Sequence, residues 1–267
     1  MKIINDKGLP LAIIRALEKD NYDGPNPKDP WKISVTTLDG PARIRRLKLL
    51  YWDDIVIDAS QMLWALHGQA IHGILERGAV PGGVYELRLE MPWPSPRGPI
   101  TISGQIDCWE DGVLTDYKNR GVYAGEALKN EDIAQLNVLA WLMREHHFDV
   151  SSLQNVFFFR DWHYLEKPKR GYPATMISAP IPVPYWSQDQ TYAYIQARVN
   201  AHYSDDVPEC TSEERWGNRR CKRFCLVASH CSQWANIQDA EEGQKSANWT
   251  EAKWASENPV EKEEKGN

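Results

Sequence analysis

Hydrophobic positions along the chain change period several times, and each change predicts an element. Leu11, Ile14 and Leu17 recur at helical spacing and predict a short helical arm. The Pro/Asn/Asp-rich stretch NYDGPNPKDP follows it as a linker. A β-branched run over 31–38 precedes a helix over 42–51. The segment 60–77 reads as a strong amphipathic helix. Ser60 is placed to cap it, and Met62, Leu63, Leu66, Ile71, Ile74 and Leu75 form its apolar stripe. Gly78 and Pro81-Gly82 end it. Three strands are predicted next, over 84–90, 100–109 and 112–119. Glu110-Asp111-Gly112 joins the last two, and Asp-Gly is a strong hairpin signal. A second long helix over 126–147, a strand over 154–162 and a third helix over 186–203 complete the pattern, with no internal repeat. This order predicts an α/β or α+β fold with a central mixed sheet flanked by helices.

Composition narrows the picture. The 267 residues are 42% hydrophobic and 25% charged, as in soluble globular proteins. There is no apolar run of about 18 residues to span a membrane. The N-terminal segment lacks the apolar region of a signal peptide, so a cytoplasmic protein is expected. The net charge of −6 argues against a protein that simply coats DNA. Basic residues are nonetheless clustered, in Arg43, Arg45, Arg46 and Lys48 and again in Arg219, Arg220, Lys222 and Arg223. Such clusters are either solvated faces or phosphate contacts. The expected organisation is an arm and linker over 1–30, a core over 31–205, a cysteine segment over 206–235 and an acidic, disordered tail over 236–267.

The hairpin GQIDCWEDGVLTDYKN carries charge where a buried strand should be apolar. Asp116 and Lys118 are two apart on one strand and leave the same face, with Asp107 across the hairpin. Two buried carboxylates repel each other and lose hydration. A divalent cation such as Mg²⁺, which takes oxygen ligands, relieves both costs. The lysine could then orient an attacking water or help deprotonate it. A solvated or salt-bridged surface hairpin is the alternative reading.

GQID followed by LTDYKN resembles the signature of the PD-(D/E)XK nuclease superfamily, in its RecB-like branch with phage exonucleases and CRISPR adaptation nucleases. GQAIHGILE resembles that branch's histidine helix, YELRLE its acidic strand and IAQLNVLAW its glutamine helix. Two positions depart from the pattern: Leu139 replaces a tyrosine, and Asn119 replaces a threonine that often follows the lysine. The resemblance covers roughly 31–203 and implies a restriction-endonuclease-like core. It also implies an Mg²⁺- or Mn²⁺-dependent deoxyribonuclease, most readily an exonuclease for DNA recombination or repair. Its metal ligands would be His72, Asp107, Asp116 and the Tyr117 carbonyl, with Glu86 or Glu90 as the additional acid. Lys118 and Gln135 would complete the catalytic set. DNA would meet Arg43, Arg45, Arg46, Arg219, Arg220, Lys222 and Arg223. A recombination or single-strand annealing partner and an oligomeric form are compatible with that role. A structure-specific endonuclease, or a non-catalytic DNA-binding or assembly protein, would share the motifs.

Four of the five cysteines, Cys210, Cys221, Cys225 and Cys231, fall within 22 residues as C-x10-C-x3-C-x5-C. In a reducing compartment that spacing points to metal rather than disulfides, either Zn²⁺ or an iron–sulfur cluster, with reduced structural cysteines as the remaining alternative. The last three resemble the C-x2-C-x5-C triplet of AddB-like and CRISPR-associated nucleases, with one extra residue. That resemblance implies a [4Fe-4S] cluster in which Cys210 replaces the family's upstream fourth ligand. Such a metal would staple a short, polar segment to the body. Cys108 is expected in the core, facing away from Asp107.

Overall fold

The computed structural model describes residues 1–19, 26–164 and 172–242. From the N-terminus, β1 (Lys2–Ile4) and α1 (Leu11–Glu18) precede β2 (Lys32–Ser34), α2 (Val35–Asp39) and α3 (Ala42–Leu50). β3 (Val56–Asp58) leads to α4 (Leu63–Leu75). Then come β4 (Val84–Tyr85), β5 (Arg88–Ser95), β6 (Gly98–Gln105), β7 (Cys108–Glu110) and β8 (Val113–Arg120). α5 (Asn130–Glu145), β9 (Ser152–Phe159), β10 (Ile181–Pro182), α6 (Gln188–Tyr203) and the short α7 (Arg219–Arg223) follow. A last helix, α8, covers 232–242.

The strands make a five-stranded sheet in the order β10-β9-β8-β7-β4, a three-stranded sheet β2-β6-β5 and a two-stranded pair β1-β3. The five-stranded sheet is mixed: β8 runs parallel to β9 and antiparallel to β7. The fold is therefore α+β, with mixed sheets flanked by helices. α5 is buried from Leu136 through Met143 without a break, so it is covered on every side. It packs against β5, β6, β8 and β9 and against α2 and α6. The one polar residue in that run, Asn137, is fully buried and well bonded. Its amide donates to the Ile133 and Pro184 carbonyls and its oxygen accepts from the Trp186 N–H, tying the approach to α6 onto α5.

The two larger sheets meet at a corner. β5 and β6 pair from Ser95↔Gly98 to Arg88↔Gln105, and β4 and β7 pair at Tyr85↔Cys108 and Val84↔Trp109. Between them the Ile106 N–H donates to Leu87 O at 3.0 Å, and the Glu86 N–H donates to Asp107 O at 3.2 Å. Glu86 has φ 49°, in the left-handed region that non-glycine residues rarely enter. The ladder thus bends as at a β-bulge. Each of the strands predicted over 84–90 and 100–109 is split in two by this bend.

The β7–β8 turn has Asp111 at φ 46° and Gly112 at φ 83°. These are the positive angles of a type I′ hairpin, which Asp-Gly favours. Gly104 serves a different need. A Cβ there would lie 2.5 Å from Leu139 Cδ2 and 2.9 Å from Leu142 Cδ1, so the missing side chain lets α5 close onto β6.

Several expectations change. The helix expected of the N-terminal arm is present as α1, and the segment is also tied to the body: β1 pairs in parallel with β3, and Leu17 is buried. Asp58, not Ser60, caps the turn before α4, because its carboxylate accepts the Ser60 N–H. The apolar stripe of α4 does not enter the core, since none of its described side chains is buried. Residues 236–242 belong to α8, whose Trp234 is buried, so the boundary placed at 235 falls inside a helix. The rest of the predicted tail, 243–267, and much of the predicted linker lie outside the described residues. No helix among the described residues is long and apolar enough to cross a membrane.

Gly104→Ala should force Leu139 and Leu142 apart. A loss of about 1–3 kcal/mol is expected from overpacking, read as a melting temperature lower by several degrees. An unchanged melting curve would mean that α5 does not approach β6 this closely.

Candidate metal centre

Alternation along β8 puts Leu114, Asp116 and Lys118 on one face. Leu114 lies in the core with α5, while Asp116 and Lys118 follow where that face opens into a cleft of about 880 Å³. Asp116 is almost fully buried, and Lys118 Nζ lies 3.0 Å from its Oδ2. Gln135, on the first part of α5, accepts from Lys118 Nζ at 2.7 Å and donates to Asp116 Oδ1 at 3.3 Å. Asn155 of β9 donates to Asp116 Oδ2 at 3.4 Å. Asp116, Lys118 and Gln135 thus hold one another in place.

Asp107 sits at the corner, one residue before β7, and accepts the Tyr117 N–H at 2.7 Å. His72 reaches in from α4, with Nδ1 3.0 Å from Glu86 Oε1 and 3.4 Å from Asp107 Oδ1. His72, Glu86 and Asp107 each offer one ligand atom, all within 4.8 Å of one another. Of the two acids left open by YELRLE, the bend at Glu86 brings that one to the site. Glu90 instead pairs with Lys32 at 2.6 Å. Gln105 donates to Glu86 Oε2 at 2.6 Å and steadies it. No motif position marks Gln105, whose role depends on the bend.

The charges perturb one another. Burial, and then repulsion by Asp116, push Asp107 up to about 7. The hydrogen bond to Glu86 raises His72 to about 9, against the opposing effect of burial and with further help from Asp107. Burial would lower Lys118, but Asp116 and then Asp107 outweigh it and hold Lys118 above the usual lysine value. Lys118 is therefore an ammonium donor, suited to positioning a water or phosphate oxygen rather than to taking a proton. The donor set of one imidazole and carboxylate oxygens suits Mg²⁺ or Mn²⁺. Tyr117 supplies backbone to the cleft, while its ring lies towards Phe158 at 6.2 Å.

The four clustered cysteines line one small, enclosed cavity together with Ile44 and Leu47 of α3. Gln233 clasps Cys210: its oxygen accepts the Cys210 N–H at 2.9 Å, and its amide donates to the Cys210 carbonyl at 2.8 Å. Arg43 Nη2 donates to Ser232 Oγ at 2.8 Å, joining α3 to the same segment. Burial pushes the Cys210 thiol up to about 12 and raises Cys221 and Cys225 as well. Cys108 is buried in its strand, as expected.

The basic residues separate into two groups. Arg45 is not a surface contact: it is 4% exposed, donates to Pro30 O and Tyr203 Oη, and stacks over the Tyr203 ring at 4.5 Å. It holds α3 to α6, and its burial rules out the DNA contact expected of it. Arg43 and Arg46 are half-buried, Arg219, Lys222 and Arg223 are exposed, and Arg220 stacks on Trp216 at 4.1 Å. Lys222 pairs with Glu241 at 3.1 Å.

Fold and site together define an α+β protein with a carboxylate–histidine–lysine cleft. No family model and no curated protein matches the chain. Among solved structures, one titled "Crystal structure of SSO0001" is similar, with a TM-score of 0.52 and 16% identity over 83% of this chain and 92% of that one. The likeness is one of fold.

A cation entering the cleft must displace the proton that His72 keeps up to about pH 9, and part of the one that Asp107 keeps up to about pH 7. Affinity for Mn²⁺ should rise from neutral pH to about pH 9, with net proton release in calorimetry. His72→Gln should flatten the upper part of that rise. A pH-independent affinity would remove His72 from the ligand set.

Proposed function

We propose that the chain is a metal-dependent DNA nuclease with a restriction-endonuclease-like core of the PD-(D/E)XK type, acting as an exonuclease in DNA recombination or repair. The observation that carries this reading is the convergence of His72, Glu86, Asp107, Asp116, Lys118 and Gln135 on one open cleft. They come from α4, the β4–β7 corner, β8 and α5, so no single element would gather them by chance of sequence proximity. A cation held by His72, Asp107, Asp116 and Glu86, with the Tyr117 carbonyl, would polarise the scissile phosphodiester and lower the pKa of an attacking water.

The chain's own groups do the rest. Lys118, charged and fixed by Gln135 and Asp116, donates to the water or to a phosphate oxygen and stabilises the growing negative charge. Asn155 and Gln135 fix the Asp116 carboxylate. Until a cation takes their place, Glu86 and Asp107 hold the His72 ring turned into the cleft through Nδ1. The half-exposed and exposed arginines outside this cleft, Arg43, Arg46, Arg219 and Arg223, would supply salt-sensitive phosphate contacts.

The same reading includes a [4Fe-4S] cluster on Cys210, Cys221, Cys225 and Cys231. Four thiols around one enclosed cavity have the ligand number that such a cluster needs, and would serve a single Zn²⁺ as well. Bound there, it would fasten α7 and α8 to α3.

Purified protein should degrade linear DNA with Mg²⁺ or Mn²⁺ and spare closed circles. Asp116→Asn and Lys118→Met should each lower the rate by at least about a hundredfold, with melting temperatures near wild type. Activity surviving Asp116→Asn would refute the site. Protein purified anaerobically should be brown and carry iron, whereas colourless protein with stoichiometric zinc would replace the cluster by a zinc staple.

A further inference from the structure

Beside the cleft lies a second pocket of about 230 Å³, and Thr36 lines both. The two differ in charge. The cleft is lined by Glu76, Glu86, Asp107 and Asp116. No carboxylate lines the second pocket, which instead takes Lys48 and the buried Arg45 from α3 and Arg220 from α7. The only carboxylate paired with Arg220 among the described residues is Glu131, at 3.9 Å and more than half exposed. Cations lining one cavity with no carboxylate among them repel one another, and an anionic ligand relieves that cost.

The pocket also presents aromatic rings to solvent. Trp216 is 43% exposed and Phe224 is 58% exposed. Their centroids lie 5.8 Å apart at 62°, so they form an angled ledge rather than a closed stack. The Arg220 guanidinium lies over the Trp216 ring at 4.1 Å, and the ring keeps its large solvent-exposed area beside that contact. Trp216, Gly217 and Asn218 all have positive φ, at 52°, 57° and 71°. An aromatic residue is held in that conformation only where its surroundings fix it. Here the Gly217 N–H donates to Ser212 O and the Arg220 N–H donates to Arg215 O, closing the loop that displays the ring.

We propose that this pocket seats a single strand of DNA leaving the cleft, with a base stacked on the Trp216–Phe224 ledge and its phosphate between Lys48 and Arg220. The identity of the strand in the cleft rests on the nuclease reading; the ledge itself does not. Paired and stacked bases of a duplex hide their ring faces, while an unpaired base offers one to any aromatic side chain. The ledge therefore selects single-stranded over double-stranded DNA. It also places the cysteine segment in substrate binding, since Trp216, Arg220 and Phe224 lie between Cys210 and Cys225.

The test is fluorescence anisotropy on the full-length protein with no added divalent cation, using a labelled oligothymidylate and a duplex of equal length. Trp216→Ala and Phe224→Ser should each weaken oligothymidylate binding about tenfold, and Trp216→Tyr should preserve it. Duplex affinity should change less than about twofold in all three. Lys48→Met should reduce the salt slope for the oligothymidylate by about 0.7. Unchanged oligothymidylate affinity in both aromatic variants, or a parallel loss for the duplex, overturns the proposal. If Trp216→Ala fails to fold, Phe224→Ser, at the more exposed ring, decides. Because no cleavage is needed, the two readings fail separately. A chain that cuts DNA but binds single strands independently of Trp216 loses only the ledge. A chain that binds through Trp216 but cuts nothing loses only the nuclease.

Discussion

Two acids that should repel each other, Asp107 and Asp116, are held on one cleft by a backbone that gives neither room to leave. Asp116 is fixed by the parallel pairing of β8 with β9 and by Asn155 beneath it. Asp107 is fixed by the ladder that turns from one sheet into the other and by the Tyr117 N–H it accepts. That geometry requires positive charge nearby, and the surrounding structure provides it through Lys118 from within β8 and His72 from α4. The bend that creates the problem also brings in Glu86, whose φ of 49° is a strained conformation costing on the order of 1–3 kcal/mol. Strain at this position is consistent with a site shaped for a ligand rather than for stability alone.

The relation between strand and helix is held just as firmly. Arg120, at the end of β8, is buried against Asp132 in the first turn of α5. It also donates to Ala127 O at 2.9 Å and lies over the Phe157 ring at 3.8 Å. Asp132 in turn accepts the Lys129 N–H at 2.8 Å. Removing one member would leave the other buried and unpaired, which typically costs about 3–5 kcal/mol. This pair fixes the start of α5 relative to β8, and so the reach of Gln135 to Lys118 and Asp116. α4 is the contrast. With no buried side chain among those described, it is tied to the body by His72 at the corner and by His67, which meets the Asn119 amide. A cation at His72 would add to those ties, coupling the order of α4 to the occupancy of the cleft.

Local signals in the sequence were reliable where one interaction decides the outcome. Asp111-Gly112 specified its hairpin, and long apolar periodicity specified α5 and α6. The charged face of β8 pointed to the cleft because alternation in a strand leaves no choice of side. Features decided between distant segments were not legible. The pairing of residues 2–4 with 56–58 involves three residues on each strand, too few to leave a pattern. The split strands at Glu86 and Asp107 follow from a change of sheet, which no local propensity encodes. Arg45 looks in sequence like its half-buried neighbours Arg43 and Arg46, and only the arrival of Tyr203 and Pro30 buries it fully. The apolar spacing of α4 carries no signal for the surface that its stripe meets, and Ile74 of that stripe is exposed.

The cleft, the basic–aromatic pocket and the cysteine cavity are continuous through shared residues: Thr36 joins the first two, and Arg220 and Cys225 line both of the others. Nuclease chemistry in the cleft depends on one condition, that the acids of the corner and of β8 share a single divalent cation with His72. A crystal of the protein grown with Mn²⁺, measured at a wavelength giving anomalous signal from manganese, tests that claim directly. One strong anomalous peak is predicted in the cleft, at about 2.0–2.4 Å from a His72 nitrogen and from oxygens of Asp107 and Asp116. A cleft without a peak at saturating Mn²⁺, or a peak that leaves His72 and Asp107 bonded to each other as before, would contradict it.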